Sequence, residues 1–103
     1  MDTIKRDAER FKALGYPIRL CLLSLIARHG GSKNVGDLQR DLEIYGYVIE
    51  QATLSAHLRT LYWAGFIEEQ RAGQEHYYCV RGDALAASQD ALADLARLAE
   101  VAS

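Results

Sequence analysis

One proline, one methionine, one tryptophan and two cysteines are all that 103 residues contain of these types. With a single proline the chain can run in long uninterrupted helices, and proline-rich linkers or low-complexity tracts are excluded. The two cysteines, Cys21 and Cys79, read as reduced cytosolic thiols, too few for a disulfide framework. No apolar run approaches the roughly 20 residues that span a bilayer. The start, Met1-Asp2-Thr3-Ile4-Lys5-Arg6, lacks the apolar core of a secretion signal. A cytoplasmic location with no membrane partner is the expectation. An excess of positive charge is missing too, since 12 Lys and Arg stand against 14 Asp and Glu for a net charge of −2. That balance argues mildly against nucleic-acid binding.

What is present belongs to an ordered, helix-rich domain. Half of the residues are hydrophobic and a quarter are charged. The length predicts one domain, residues 1–103, and a domain this small gains when a second subunit covers apolar surface. Charge is unevenly distributed. Residues 1–40 carry eight Lys or Arg against four Asp or Glu, and residues 41–103 carry four against ten.

Periodicity places the elements. Ile4, Ala8, Phe11 and Leu14 recur at helical spacing over about 3–14, with Gly15 as the stop. A second helix starts at Pro17, where a missing N–H costs nothing, and runs through Leu20, Leu23, Leu25 and Ile26 to a Gly30-Gly31 stop. Asn34 is placed to cap a short third helix that turns Leu38 and Leu42 inward. Between Gln51 and Ala64 the apolar positions are Leu54, Leu58 and Leu61, which leaves Gln51, Ser55 and Arg59 outward before Gly65 ends the helix. Phe66–Arg71 and Glu75–Val80 then read as two strands around Ala72-Gly73-Gln74. A last helix is expected over about 84–101, capped by Asp83, with Leu85, Leu92, Leu95 and Ala99 on one stripe and small alanines that allow close helix contact. The fold class is mainly α with a small β-hairpin (α+β): a winged helix-turn-helix with five helices and a two-stranded wing. The first and last helices are the expected dimer interface.

Two local patterns carry a family resemblance. Gln51-Ala52-Thr53-Leu54-Ser55-Ala56-His57-Leu58-Arg59-Thr60-Leu61, followed by Ala64-Gly65-Phe66-Ile67, is similar to the recognition helix of the ArsR/SmtB winged-helix repressors. Leu14-Gly15-Tyr16-Pro17-Ile18-Arg19-Leu20 resembles the start of that family's core helix. The resemblance covers nearly the whole chain. It implies a two-fold symmetric homodimer that presents two recognition helices to successive major grooves of a pseudo-palindromic double-stranded operator. It implies DNA contacts from Gln51, Thr53, Ser55, His57 and Arg59, with Arg71 and Gln74 at the wing. Gln51 can bond an adenine bidentately and Ser55 can serve donor or acceptor edges. His57 reads equally as a DNA contact or as an orienting group beneath the helix, and Arg19 as a partner of a carboxylate or the backbone. At two positions often polar or basic in relatives, this chain has Ala52 and Ala56.

Such repressors commonly leave DNA when a metal binds, but the ligand sets are absent. The third-helix region Lys33–Leu38 has no cysteine, and the last helix offers Asp90, Asp94 and Glu100 without a histidine. No metal and no cofactor are expected. Cys21 and Cys79 are candidate thiol sensors or plain structural thiols. Tyr45, Tyr47, Tyr62 and Trp63 are packing residues or the wall of a site for a small-molecule or protein effector, and Tyr45–Ile49 reads as an insertion. A repressor released by an unidentified signal is the leading expectation. Its alternative is a winged-helix protein-interaction module with weak or no DNA binding. Catalysis is not expected, because His29, His57 and His76 form no nucleophile–base arrangement with Cys21 or Cys79.

Overall fold

A computed structural model describes residues 2–29 and 33–102. In chain order the elements are α1 (Asp2–Leu14), α2 (Pro17–Arg28), β1 (Lys33–Asn34), α3 (Val35–Ile44), α4 (Gln51–Trp63), β2 (Ile67–Ala72), β3 (Glu75–Val80) and α5 (Gly82–Ala102). Among the described residues no helix is long and apolar enough to cross a membrane.

The helix ends follow local chemistry. Pro17 opens α2 behind an extended Tyr16. The Gly30-Gly31 stop expected for that helix lies outside the described residues. Asn34 caps α3 as expected: its side-chain oxygen accepts from the Asp37 N–H at 2.8 Å, and the Asp37 carboxylate accepts in return from the Asn34 N–H at 3.4 Å. Helices α3 and α4 end alike. Gly46 and Gly65 take φ values of 89° and 87°, which only glycine adopts at little cost. The next N–H then reaches back to close the helix, Tyr47 to the Leu42 carbonyl and Phe66 to the Leu61 carbonyl, each at 3.0 Å.

Three expectations need correction. Asp83 does not precede α5 as its cap, because the helix already begins at Gly82 and Asp83 lies in its first turn. There it pairs with Arg81 at 3.0 Å. Desolvation works to raise the Asp83 pKa, but Arg81 and backbone N–H groups outweigh it and hold the carboxyl below its usual range. Phe66 is a helix-closing residue, not the first residue of a strand. The wing is also joined by a third strand, so the antiparallel sheet runs β1-β3-β2. Strand β1 is only Lys33 and Asn34, paired with Tyr78 and Tyr77, too short to leave a periodic signal. In the hairpin itself Ala72 pairs with Glu75, so Gly73 and Gln74 alone make the turn.

One core holds the elements together. Leu22 and Ile26 of α2, Leu38 and Leu42 of α3, Leu54 and Leu61 of α4, and Phe66 and Ile67 at the base of the wing are all sealed from solvent. Leu20, expected inside, is half exposed, on a side of α2 that also leaves Pro17, Ser24 and Ala27 exposed. The segment after α3 is anchored, not loose. Tyr47 and Ile49 pack on the core, and Gln39 Nε2 donates to the Ile49 carbonyl at 3.0 Å. Helix α5 buries only Ala84 and Ser88, while Leu92, Leu95, Leu98 and Val101 stand in solvent.

Candidate nucleic-acid interface

The site is built on α4. Its three leucines, Leu54, Leu58 and Leu61, fix one side against the core, so the other side must face outward. Gln51, Ala52, Thr53, Ala56 and Arg59 are exposed, and Ser55 is half-buried toward the wing. Glu50 precedes the helix in extended backbone without a side-chain hydrogen bond to it. The first backbone N–H groups of α4 therefore lack a side-chain cap, which suits an acceptor such as a phosphate oxygen.

Packing of the wing and α3 beside α4 brings some expected residues together. Gln51 at the start of α4 and Gln74 in the wing turn line one groove of about 410 Å³, together with Asn34, Arg40, Glu75 and His76. Within it Asn34 Nδ2 donates to Glu75 Oε2 at 3.1 Å. Ser55 and Arg59 line a second groove, with Tyr62, Glu69 and Tyr78 across it. Arg71 sits on the exposed wing opposite His76. Thr53 and His57 project to the other flank of the helix, away from Gln51 and Ser55. The His57 ring tilts against Tyr16, with centroids 6.1 Å apart. Its pKa is lowered, first by desolvation and then by the neighbouring Arg19 charge. These contacts give His57 neighbours beneath the helix.

Arg19 does not pair with a carboxylate or a carbonyl as expected. It is 7% exposed, its guanidinium lies over the Tyr16 ring at 3.9 Å, and its Nε is buried without an acceptor. Residues that the sequence did not assign to this site are Arg40, His76 and Asn34, the last read there only as a helix cap. Arg40 pairs with Asp37 and His76 contacts Glu69, and only the packing of α3 against α4 and the pairing of β1 with β3 put them beside Gln51. The spacing of Asp37 and Arg40 on one helix was the only available signal.

The electrostatics of the wing are acidic. Glu68 and Glu69 lie on β2 and Glu75 on β3, and Arg81 is engaged by Glu68 at 3.5 Å as well as by Asp83. Tyr78 is pushed above its ordinary pKa by desolvation and by the Glu69 charge. Burial raises the Cys21 pKa against the opposing pull of Arg28, which lowers its thiolate fraction, and Cys79 Sγ is 3.9 Å from the Glu68 carboxylate. Among the described residues no group of three His, Cys, Asp or Glu side chains is arranged to hold a metal ion.

Comparison with known proteins gives one picture. The profile of the bacterial regulatory protein, arsR family, matches residues 16–69. An uncharacterised HTH-type transcriptional regulator of Methanocaldococcus jannaschii is 31% identical over 86 residues, covering 81% of this chain and 86% of that one. The structure of an ArsR-like transcriptional regulator from Rhodococcus sp. RHA1 superposes with a TM-score of 0.75 at 22% identity, covering 98% of this chain and 93% of that one, a likeness of fold. A homodimeric winged helix-turn-helix DNA-binding domain from Mycobacterium bovis, described as a possible ArsR-family transcriptional regulator, superposes with a TM-score of 0.64 at 26% identity. It covers 96% of this chain and 79% of that one.

Proposed function

Because the chain belongs to the arsR family of bacterial regulatory proteins, we propose that it is a homodimeric, sequence-specific transcriptional regulator, a repressor that a signal removes from its operator. The observation that carries this reading is the outward side of α4, where Gln51, Ser55 and Arg59 are held by a rigid leucine-packed helix with the wing beside it. Gln51 reads an adenine edge, Ser55 an adjacent base or phosphate, and Arg59 a phosphate. Arg71 and Gln74 reach the flanking backbone from the wing. Thr53 and His57 serve the opposite flank, with His57 orienting the helix through Tyr16.

The dimer reading is supported by the bare face of α5 and by the homodimeric state of the M. bovis domain. Leu92, Leu95 and Leu98 are more than half exposed in the single chain, and a contiguous apolar stripe of this kind marks an interface. Residues 1–103 act as one domain, with α1 and α5 forming that interface. Leu95→Glu is expected to convert the dimer to monomer in sedimentation and to abolish tight operator binding.

Fluorescence anisotropy on the DNA upstream of its own gene, against a scrambled duplex and across a salt series, tests the regulator reading. Selective binding by a dimer supports it. Equal, weak binding to both duplexes would overturn it in favour of a protein-interaction module, for which the acidic wing is the supporting feature.

A further inference from the structure

The flank of α4 away from the wing contains a groove of about 580 Å³ between α1, α2 and α4, a size that suits a small ligand. Lys12, Arg19 and Arg59 line it, with Glu9 as the single acid, Thr60 as a hydroxyl and Trp63 as a wall. Arg19 is unusual among these. It is buried, its Nε has no acceptor, and Tyr16 beneath it supplies a ring face but no hydrogen-bond acceptor for that group. A buried N–H such as that of Arg19 Nε is costly without an acceptor, and a ligand oxygen that reached it would remove that cost. Trp63 is 78% exposed, so its indole ring is open to stacking. It meets Tyr62 edge-on, at 5.6 Å between centroids and 83° between planes. Arg59 makes no hydrogen bond or ion pair among the described residues, and it lines both this groove and the one toward the wing.

The geometry points to a binding site for a planar aromatic carboxylate, with the carboxylate held among Lys12, Arg19 and Arg59 and the ring stacked on Trp63. Three cations against one carboxylate select an anion, and the indole wall selects an aromatic body over a bare inorganic ion. Occupancy draws Arg59 toward the ligand and away from DNA, so the ligand acts as an inducer. This regulatory half rests on the operator-binding reading, whereas the binding half does not. By linkage, DNA weakens the ligand as much as the ligand weakens DNA.

Trp63 is the only tryptophan, so its fluorescence reports the site directly in the DNA-free protein. The probes are benzoate, salicylate and 1-naphthoate, with benzamide and inorganic phosphate at matched ionic strength as controls. The expected result is a saturable change with an aromatic carboxylate and none with benzamide or phosphate. Lys12→Gln is expected to raise the half-saturating concentration by about five- to tenfold and to leave operator binding in place. An equal response to benzamide, a response to phosphate alone, or no saturable response to any of the three carboxylates would overturn the site. In the second arm, saturating carboxylate is expected to lower operator affinity at least about fivefold. Binding with no change in operator affinity would overturn the inducer role. Failure of the ligand-free protein to bind its operator would instead sink the regulator reading, while the fluorescence titration keeps its meaning.

Discussion

The two flanks of α4 are built with opposite charge. On the α1–α2 side Lys12, Arg19 and Arg59 meet one carboxylate, Glu9. On the wing side Ser55 and Arg59 look across at Glu69 and Tyr78, with Glu68 and Glu75 close by on the same hairpin. Arg59 stands on the crest between them. An acidic wing repels a DNA backbone wherever its carboxylates are unpaired, so the operator-binding proposal expects low non-specific affinity and a larger share of binding from base contacts by α4. Part of the wing charge is met internally: Arg81 engages Glu68, and the His76 ring contacts the Glu69 carboxylate. On the operator-binding proposal, this division would let a chain of net negative charge use the fold on DNA, and the expected dependence on salt is shallow.

The most severe way to break the comparison is to remove the packing that seats α4, the helix both flanks share. Leu58 is sealed between α4 and the core, and Leu58→Ala should cost about 2–5 kcal/mol of stability, read by urea unfolding. Both grooves would loosen together. A cut confined to the reading face is milder and more informative. Gln51→Ala is expected to weaken operator binding by about 1–3 kcal/mol while leaving scrambled DNA almost unaffected. Arg59→Gln should weaken both duplexes alike and reduce the magnitude of the salt slope by about one. A Gln51 variant that lost both duplexes equally would show that α4 only positions the protein.

Much of this architecture was legible because local signals and packing agree. Pro17, the Asn34–Asp37 pair and Gly65 each mark a helix end by a backbone requirement. The leucines of α4 mark its buried side by spacing alone. Strand β1 was hidden because two residues carry no period, and its pairing with Tyr77 and Tyr78 is a long-range event. The Arg19 environment was hidden for a different reason. A motif predicts that an arginine is needed, but whether it meets a carboxylate or an aromatic face depends on how α1, α2 and α4 converge. The groove shared by Gln51, Gln74 and Arg40 is likewise a product of convergence, not of any one segment.

Smaller changes sharpen the charge division. Glu69→Gln removes the wing carboxylate that faces α4, and it should strengthen binding to specific and scrambled DNA alike by about two- to threefold at low salt. High salt should erase the difference, because the effect is one screened charge. A gain restricted to the operator would mean that Glu69 positions a reading side chain.

The mildest test lies on the other flank, at His57. Desolvation, and secondarily the Arg19 charge, lower its pKa in the folded state below the ordinary value of 6.5. The unfolded chain therefore binds a proton that the folded chain resists, and stability rises with pH between the two values. The contribution is fully present above about pH 6.5, the unfolded value, and is lost as pH falls toward the folded one. Unfolding midpoints measured from pH 7.5 down to pH 5 should show this slope, and His57→Gln should flatten it while retaining a polar ring-side neighbour for Tyr16. A slope that survives the substitution would move the titrating group elsewhere. It would also remove the physical reason for placing His57 beneath the helix and not on the DNA.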